Sequence, residues 1–162
     1  MTSKEGVRAM LARRASADFA TICPWVSFFE IYCHLRGMEN ALMYVAAEPE
    51  FLGAALDRIE SIQTREMERY FAELGDRIDI VFISDDMGTQ DSQLISIEAW
   101  RQHFQPRLAR WCELIQQHGK KVLFHTDGAA RPLVPYLIEP GADILNPIKH
   151  ICPGMCRGPL KR

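Results

Sequence analysis

IDIVFIS, residues 78–84, is short, rich in β-branched residues and apolar at odd and even positions alike. Such a segment is expected to be a strand covered on both faces, as the strands of a parallel sheet are. It runs into DDMGTQDSQL, a polar loop with one glycine. KKVLFHTDG, residues 120–128, repeats the arrangement: Val122, Leu123 and Phe124 lead straight into His125, Thr126, Asp127 and Gly128. ADILNPI, residues 142–148, reads as a further strand.

Helical periodicity fills the intervals. From Glu50 to Gly75 the apolar positions Leu52, Leu56, Ile59, Met67, Tyr70, Phe71 and Leu74 step mostly by three or four, opened by Pro49 and closed by Gly75. Arg58, Glu60, Arg65, Glu66, Glu68 and Arg69 are then expected to form a mostly solvated face. Ser96 caps a second helix in which Trp100, Phe104, Leu108, Trp111 and Ile115 make the buried stripe, ending at Gly119. Pro106 predicts a kink inside it. Residues 131–139 make a short helix closed by Pro140 and Gly141, and TICPWVSFFEIYCHL, residues 21–35, supplies an earlier strand before its own helix. The order β-loop-α-β-loop-α-β predicts an α/β domain over 21–156 with a parallel sheet and right-handed crossovers. Residues 1–20 form a helical or unstructured lead, and 157–162 a tail.

In parallel α/β folds ligands meet the loops at the carboxyl ends of the strands. That rule puts Ser84, Asp85 and Asp86 after one strand, His125, Thr126 and Asp127 after the next, and Asn146, Lys149 and His150 after the third. Asp85, Asp86, His125, Asp127 and Asn146 are the candidate substrate-binding residues. Adjacent Asp85 and Asp86 diverge on a strand end, so one faces the rim while its neighbour caps backbone; the bland reading is an Asx turn at Asp86-Met87-Gly88. His125 and Asp127 at i, i+2 share a face, where they hold one ligand together or Asp127 orients His125. The bland readings are a histidine bonded to a neighbouring loop and an ordinary Asp-Gly turn. His150, Cys152 and Cys156 lack the spacing and donor number of a zinc knuckle, and loop thiols are expected there. Gly88 has no Gly-rich phosphate-binding spacing around it, and no nucleophile elbow appears.

Charges nearly balance at a formal net of −2, which argues against nucleic acid or an anionic membrane as partner. No apolar run is long enough to span a bilayer, and the first 20 residues lack the apolar core of a signal peptide. The five cysteines form no secreted-type framework, so reduced thiols in a cytoplasmic protein are expected.

Four blocks resemble a known family: LRGMENALMYVAAEPEF (35–51), VFISDDMGTQDSQLISIEAWRQHFQPRL (81–108), GKKVLFHTDGAARPLVPYLIEPGADILNPI (119–148) and CPGM (152–155). They are similar to the uroporphyrinogen decarboxylase superfamily, to its decarboxylase-like branch, which includes corrinoid-dependent methyltransferases. The resemblance runs from about Cys23 to Met155. It implies a partial (β/α)8 TIM barrel, the C-terminal half with about four strands and their helices. A truncated or frameshifted gene product is the first explanation it suggests, and self-association to complete the barrel the second.

Two chemistries follow from the resemblance. The first is a carboxy-lyase of porphyrin biosynthesis, acting on a tetrapyrrole without cofactor; its arginines and aspartate belong to a segment not matched here. The alternative is methyl transfer with zinc and a corrinoid partner, where the family's His-x-Cys falls on His125-Thr126-Asp127. His125 matches and Asp127 replaces the cysteine, a harder ligand than thiolate, so His125 and Asp127 are the alternative metal ligands and no cofactor is the expectation. An inactive binding module is the non-enzymatic reading. A small-molecule partner is common to all three.

Overall fold

The computed structural model describes residues 19–156. The expectations for the tail, and for the lead up to residue 18, lie outside the described residues. Strands β1 (Ile80–Ser84), β2 (Lys121–His125) and β3 (Ile144–Asn146) form a parallel sheet in that order. Ile80 pairs with Lys121 and Ser84 with His125, while Leu123 pairs with Ile144 and His125 with Asn146. Ser84, His125 and Asn146 therefore stand abreast at the carboxyl ends of three adjacent strands. This level row follows from the sequence, because each strand gives way to polar loop residues at the same register.

The segment expected to supply an earlier strand lies parallel to β1 as two separate bridges, Ile22 to Ile80 and Val26 to Ile83. Four residue steps on that segment span three on β1, so it carries one extra residue, a bulge at Pro24-Trp25, where proline has no N–H for a ladder. Backbone bonds still tie it down: Cys23 N donates to Ile80 O at 2.8 Å, and Ser84 N to Val26 O at 2.9 Å. The segment leads directly into helix α1 (Phe29–Arg36), followed by α2 (Met38–Ala47) and the 26-residue α3 (Pro49–Leu74).

The helix expected from Ser96 to Gly119 is two helices, α4 (Ile97–His103) and α5 (Gln105–Gln117), broken at Phe104. Pro106 lies in the first turn of α5, where a missing N–H costs little and the fixed φ suits a helix start. A break thus replaces the kink, and the stripe survives it: Trp100, Phe104, Leu108, Trp111 and Ile115 are all buried. Ser96 caps α4 as expected, its hydroxyl accepting from Ala99 N at 3.1 Å. The short helix α6 (Val134–Ile138) follows a 3-10 turn at Arg131–Leu133.

The sheet has two unlike faces. Val81, Ile83, Val122 and Phe124 are wholly buried, with Trp100 edge-on to Phe124 and Phe28 stacked on Trp111 at 3.6 Å between ring centroids. Complete burial of side chains this size contributes ~1.5–3 kcal/mol each, so this face anchors the domain. The other face, carrying Phe82 and Leu123, is only partly covered, with Ile22 49% and Ile144 39% exposed. The expectation of cover on both faces thus holds for one face of the described residues. The charged face of α3 is mostly solvated, as expected, with Arg58, Arg65, Glu68 and Arg69 exposed, and Glu60 is the exception. Glu60 forms a bidentate pair with Arg110, both bonds 2.7 Å, and Asp57 pairs with Arg107, joining α3 to α5. Among the described residues no helix is long and apolar enough to cross a membrane.

Candidate functional site

Asp85 follows β1 and is 0% exposed. Its carboxylate accepts from Ser27 Oγ at 2.6 Å and from the backbone N–H groups of Phe28, Phe29 and Glu30 at 3.1, 2.7 and 3.1 Å. These amides open α1 and have no partner within the helix. The carboxylate thus closes the helix start from another element, 57 residues away from Phe28 in sequence. Burial pushes the Asp85 carboxyl up to about 7, with the Ser27 hydroxyl and the α1 amides pulling it back. Sequence reasoning expected one of the two aspartates to cap backbone; Asp85 is that one, and its enclosure leaves it no surface for a ligand.

Asp86 is the aspartate that faces the rim. Its Oδ1 accepts from Asp127 N at 2.8 Å and lies 3.6 Å from His125 Nε2. Its own N–H donates to Glu30 Oε1 at 3.2 Å, an oxygen that also accepts from Ser84 Oγ at 3.3 Å. Glu30 is the site residue that sequence reasoning missed. A signal was present: Ser27-Phe28-Phe29-Glu30 has the S-x-x-E form of a capping box. In a capping box the glutamate turns back to its own helix start; here Asp85 has taken that place, and Glu30 reaches across to the β1 loop.

His125 ends β2. Its Nδ1 is 2.9 Å from Asn146 Oδ1, and the ring meets Phe82 edge-on with centroids 5.6 Å apart. With Asn146's oxygen accepting, Nδ1 is the donor, and Nε2 faces the rim. A proton arriving at Nε2 meets the Asp86 carboxylate 3.6 Å away. The ring is therefore held between residues of the two neighbouring strands, with Nε2 just beyond hydrogen-bond distance of Asp86.

Asp127 does not orient His125. Its carboxylate pairs with Lys149 Nζ at 2.8 Å, and the Lys149 ammonium holds it below the usual carboxylate range. Lys149→Met is expected to raise the Asp127 carboxyl towards the ordinary aspartate range, because its largest lowering influence is removed. A carbon-13 NMR titration reads this directly; an unmoved midpoint would show that Lys149 is not the cause. Of the five candidates, the structure brings Asp86, His125 and Asn146 into one cluster, with Asp127 joined through its backbone N–H and Asp85 enclosed beneath.

The zinc alternative can be tested on the donors. Asp127 is turned to Lys149 while His125 is turned between Asn146 and Asp86. Among the described residues no group of three or more His, Cys, Asp or Glu converges on a metal-sized point. A protein zinc site takes three or four such ligands, so these residues alone do not fit one. Cys152 is buried, with its Sγ 3.9 Å from Gln90 Oε1. All five cysteines are free thiols, and burial pushes Cys23 and Cys33 up to about 11 and Cys112 up to about 12.

Glycines bring the two acidic loops together. Gly88, after β1, and Gly128, after β2, meet backbone to backbone, and Ala129 N donates to Thr89 O at 2.8 Å. A Cβ on Gly88 would lie 2.7 Å from Asp127 O. This contact is what brings Asp86 within reach of Asp127 N. Beside it, α1 and the β1 loop enclose an open cavity of about 620 Å³ lined by Phe29, Glu30, Cys33, Met38, Asp86 and Leu94, among others.

The chain matches no family model, and no curated protein matches it. Among solved structures it is similar to a methyltransferase from Methanosarcina mazei, with a TM-score of 0.63 at 18% identity. The likeness covers 84% of this chain and 38% of the other, so the chain spans well under half of that structure's length. At this identity the likeness shows a shared α/β fold. The wider resemblance to the uroporphyrinogen decarboxylase superfamily has no family-model match behind it.

Proposed function

We propose that this chain is a methyltransferase-related segment of an α/β barrel that holds a small molecule at the carboxyl ends of its strands. His125 is its proton-handling group, and Glu30, Asp86 and Asn146 orient ring and ligand. The carrying observation is the convergence of these four side chains on one rim, in a fold shared with a methyltransferase. The sign of that rim favours methyl transfer over the carboxy-lyase reading. A tetrapyrrole bearing several carboxylates is repelled by a rim of like charge. Here Glu30, Asp86 and Asp127 stand against Lys149, which is already paired. A corrinoid, whose side chains are largely amides, meets the same rim without that repulsion.

The test is a binding comparison between methylcobalamin and uroporphyrin, followed by calorimetry. Methylcobalamin is expected to bind and uroporphyrin not to. His125→Ala is expected to weaken methylcobalamin binding roughly tenfold, the loss of one good polar contact, with a melting temperature close to that of the unmodified chain. Uroporphyrin binding in the absence of methylcobalamin binding would overturn the proposal in favour of the carboxy-lyase. Equal affinity with lower stability in His125→Ala would make the histidine a purely structural loop group.

A further inference from the structure

The cavity beside the rim has a definite chemical character. Its rim carries two carboxylates side by side, joined by the hydrogen bond from Asp86 N to Glu30 Oε1 at 3.2 Å. Each has one oxygen engaged at this junction: Glu30 Oε1 by Ser84 and Asp86, Asp86 Oδ1 by Asp127 N. Among the described residues, Glu30 Oε2 and Asp86 Oδ2 accept no hydrogen bond, and neither carboxylate has a lysine or arginine partner within ion-pair distance. The lining of the cavity contains no lysine or arginine. Lys149 is paired with Asp127, and the Arg36 guanidinium lies over the rings of Tyr44 and Phe51 at 4.7 and 5.1 Å. His34 lines the same cavity, and His125 touches Asp86 from the opposite side.

Two adjacent carboxylates persist here because the fold supports each separately. Glu30 is in the first turn of α1, where the helix dipole favours negative charge, and Asp86 takes a backbone N–H. The rest of the lining is apolar: Phe29, Met38 and Leu94, with Cys33, whose thiol burial keeps protonated. A volume of about 620 Å³ is of the size that takes a small organic ligand.

We infer that this cavity takes a small organic ammonium with an apolar body, its N–H groups donating to Glu30 and Asp86 and its carbon frame against Phe29, Met38 and Leu94. The inference rests on the ligand-holding reading of the rim and names its substrate class. A carboxylate of the same shape is repelled by both acids and meets no lysine or arginine in the lining.

Cyclohexylammonium and cyclohexanecarboxylate are matched probes, the same ring with opposite charge, and their binding to the intact chain is followed by amide shifts in nitrogen-15 NMR. The ammonium is expected to bind at least tenfold more tightly, and to weaken as salt is raised. Glu30→Gln and Asp86→Asn are each expected to weaken it severalfold, as a charge-assisted bond becomes a neutral one. Equal binding of the two probes, or preference for the carboxylate, would overturn the inference; that comparison uses the unmodified chain and needs no variant to fold. Full ammonium affinity in both folded variants would overturn it as well. The two proposals fail separately. Methylcobalamin binding without ammonium preference removes only the substrate class; ammonium preference without methylcobalamin binding removes only the methyltransferase reading.

Discussion

Asp85→Ala is expected to destabilise the chain by at least ~3 kcal/mol, the largest loss for any single rim residue. The substitution deletes the acceptor for one buried hydroxyl and three backbone amides at the start of α1. Stranding one buried donor costs ~1–3 kcal/mol, and losing a helix cap ~0.5–2 kcal/mol. Some of the freed amides will find water, which is why the figure stays near the lower end of the sum. For a domain of this size the loss corresponds to a fall in melting temperature of roughly 6–12 °C. Asp85→Asn, with its oxygen in the Oδ1 position, keeps an acceptor for three of the four donors and is expected to lose about half as much. Asp86→Ala, at the half-exposed neighbour, is expected to cost under ~1 kcal/mol. Thermal unfolding of the three variants decides the matter. Equal losses at 85 and 86 would mean that Asp85 does not hold α1 in place.

Gly128→Ala comes next. The backbone at Gly128 has φ of +84°, where an L-residue costs ~1–2 kcal/mol. The added Cβ would also press on Thr89 O and lie 2.7 Å from the Gly88 carbonyl carbon. These are backbone atoms of the neighbouring loop and cannot rotate aside, so the loops must part, at ~1–3 kcal/mol for overpacking. A total of about 3 kcal/mol is expected. A second effect separates this variant from a general loss of stability. Parting the loops draws Asp86 away from Asp127 N, so ligand affinity is expected to fall at temperatures where the chain is still folded. Gly53→Ala is the control. It lies within α3, where an added Cβ would meet nothing within 4 Å, and is expected to stabilise slightly, by ~0.5–1 kcal/mol. Unchanged melting and binding in Gly128→Ala would show that the loop contact is soft.

Much of this architecture was legible from residues alone, for identifiable reasons. Period-2 and period-3.6 patterns are local, so the three strands, α3 and the stripe from Trp100 to Ile115 could be read off directly. The rim could be read because a parallel sheet sends every strand's carboxyl end to one side. What stayed hidden depends on partners distant in sequence. Whether Asp85 or Asp86 turned inward was decided by Ser27 and the amides of α1, more than fifty residues earlier. The same capture released Glu30 to the rim. Asp127 looked like a partner for His125 on spacing alone, yet β2 ends at His125, and beyond the strand the alternation no longer governs direction. Lys149 then claimed it. Pro106 marked the right place but not the outcome, because whether a helix bends or restarts depends on what packs across the gap.

The stack of Phe28 on Trp111 has a practical consequence. Phe28 lies between Ser27 and α1, in the backbone stretch that Asp85 grips, and Trp111 sits on α5. The indole's immediate surroundings therefore change when α1 lifts from the sheet. Trp100 is equally buried against a different part of the core, and Trp25 is 45% exposed on the bulged segment. With Trp25 and Trp100 replaced by phenylalanine, the remaining emission becomes an intrinsic optical gauge of whether the rim's acidic wall is seated, readable without any label or ligand.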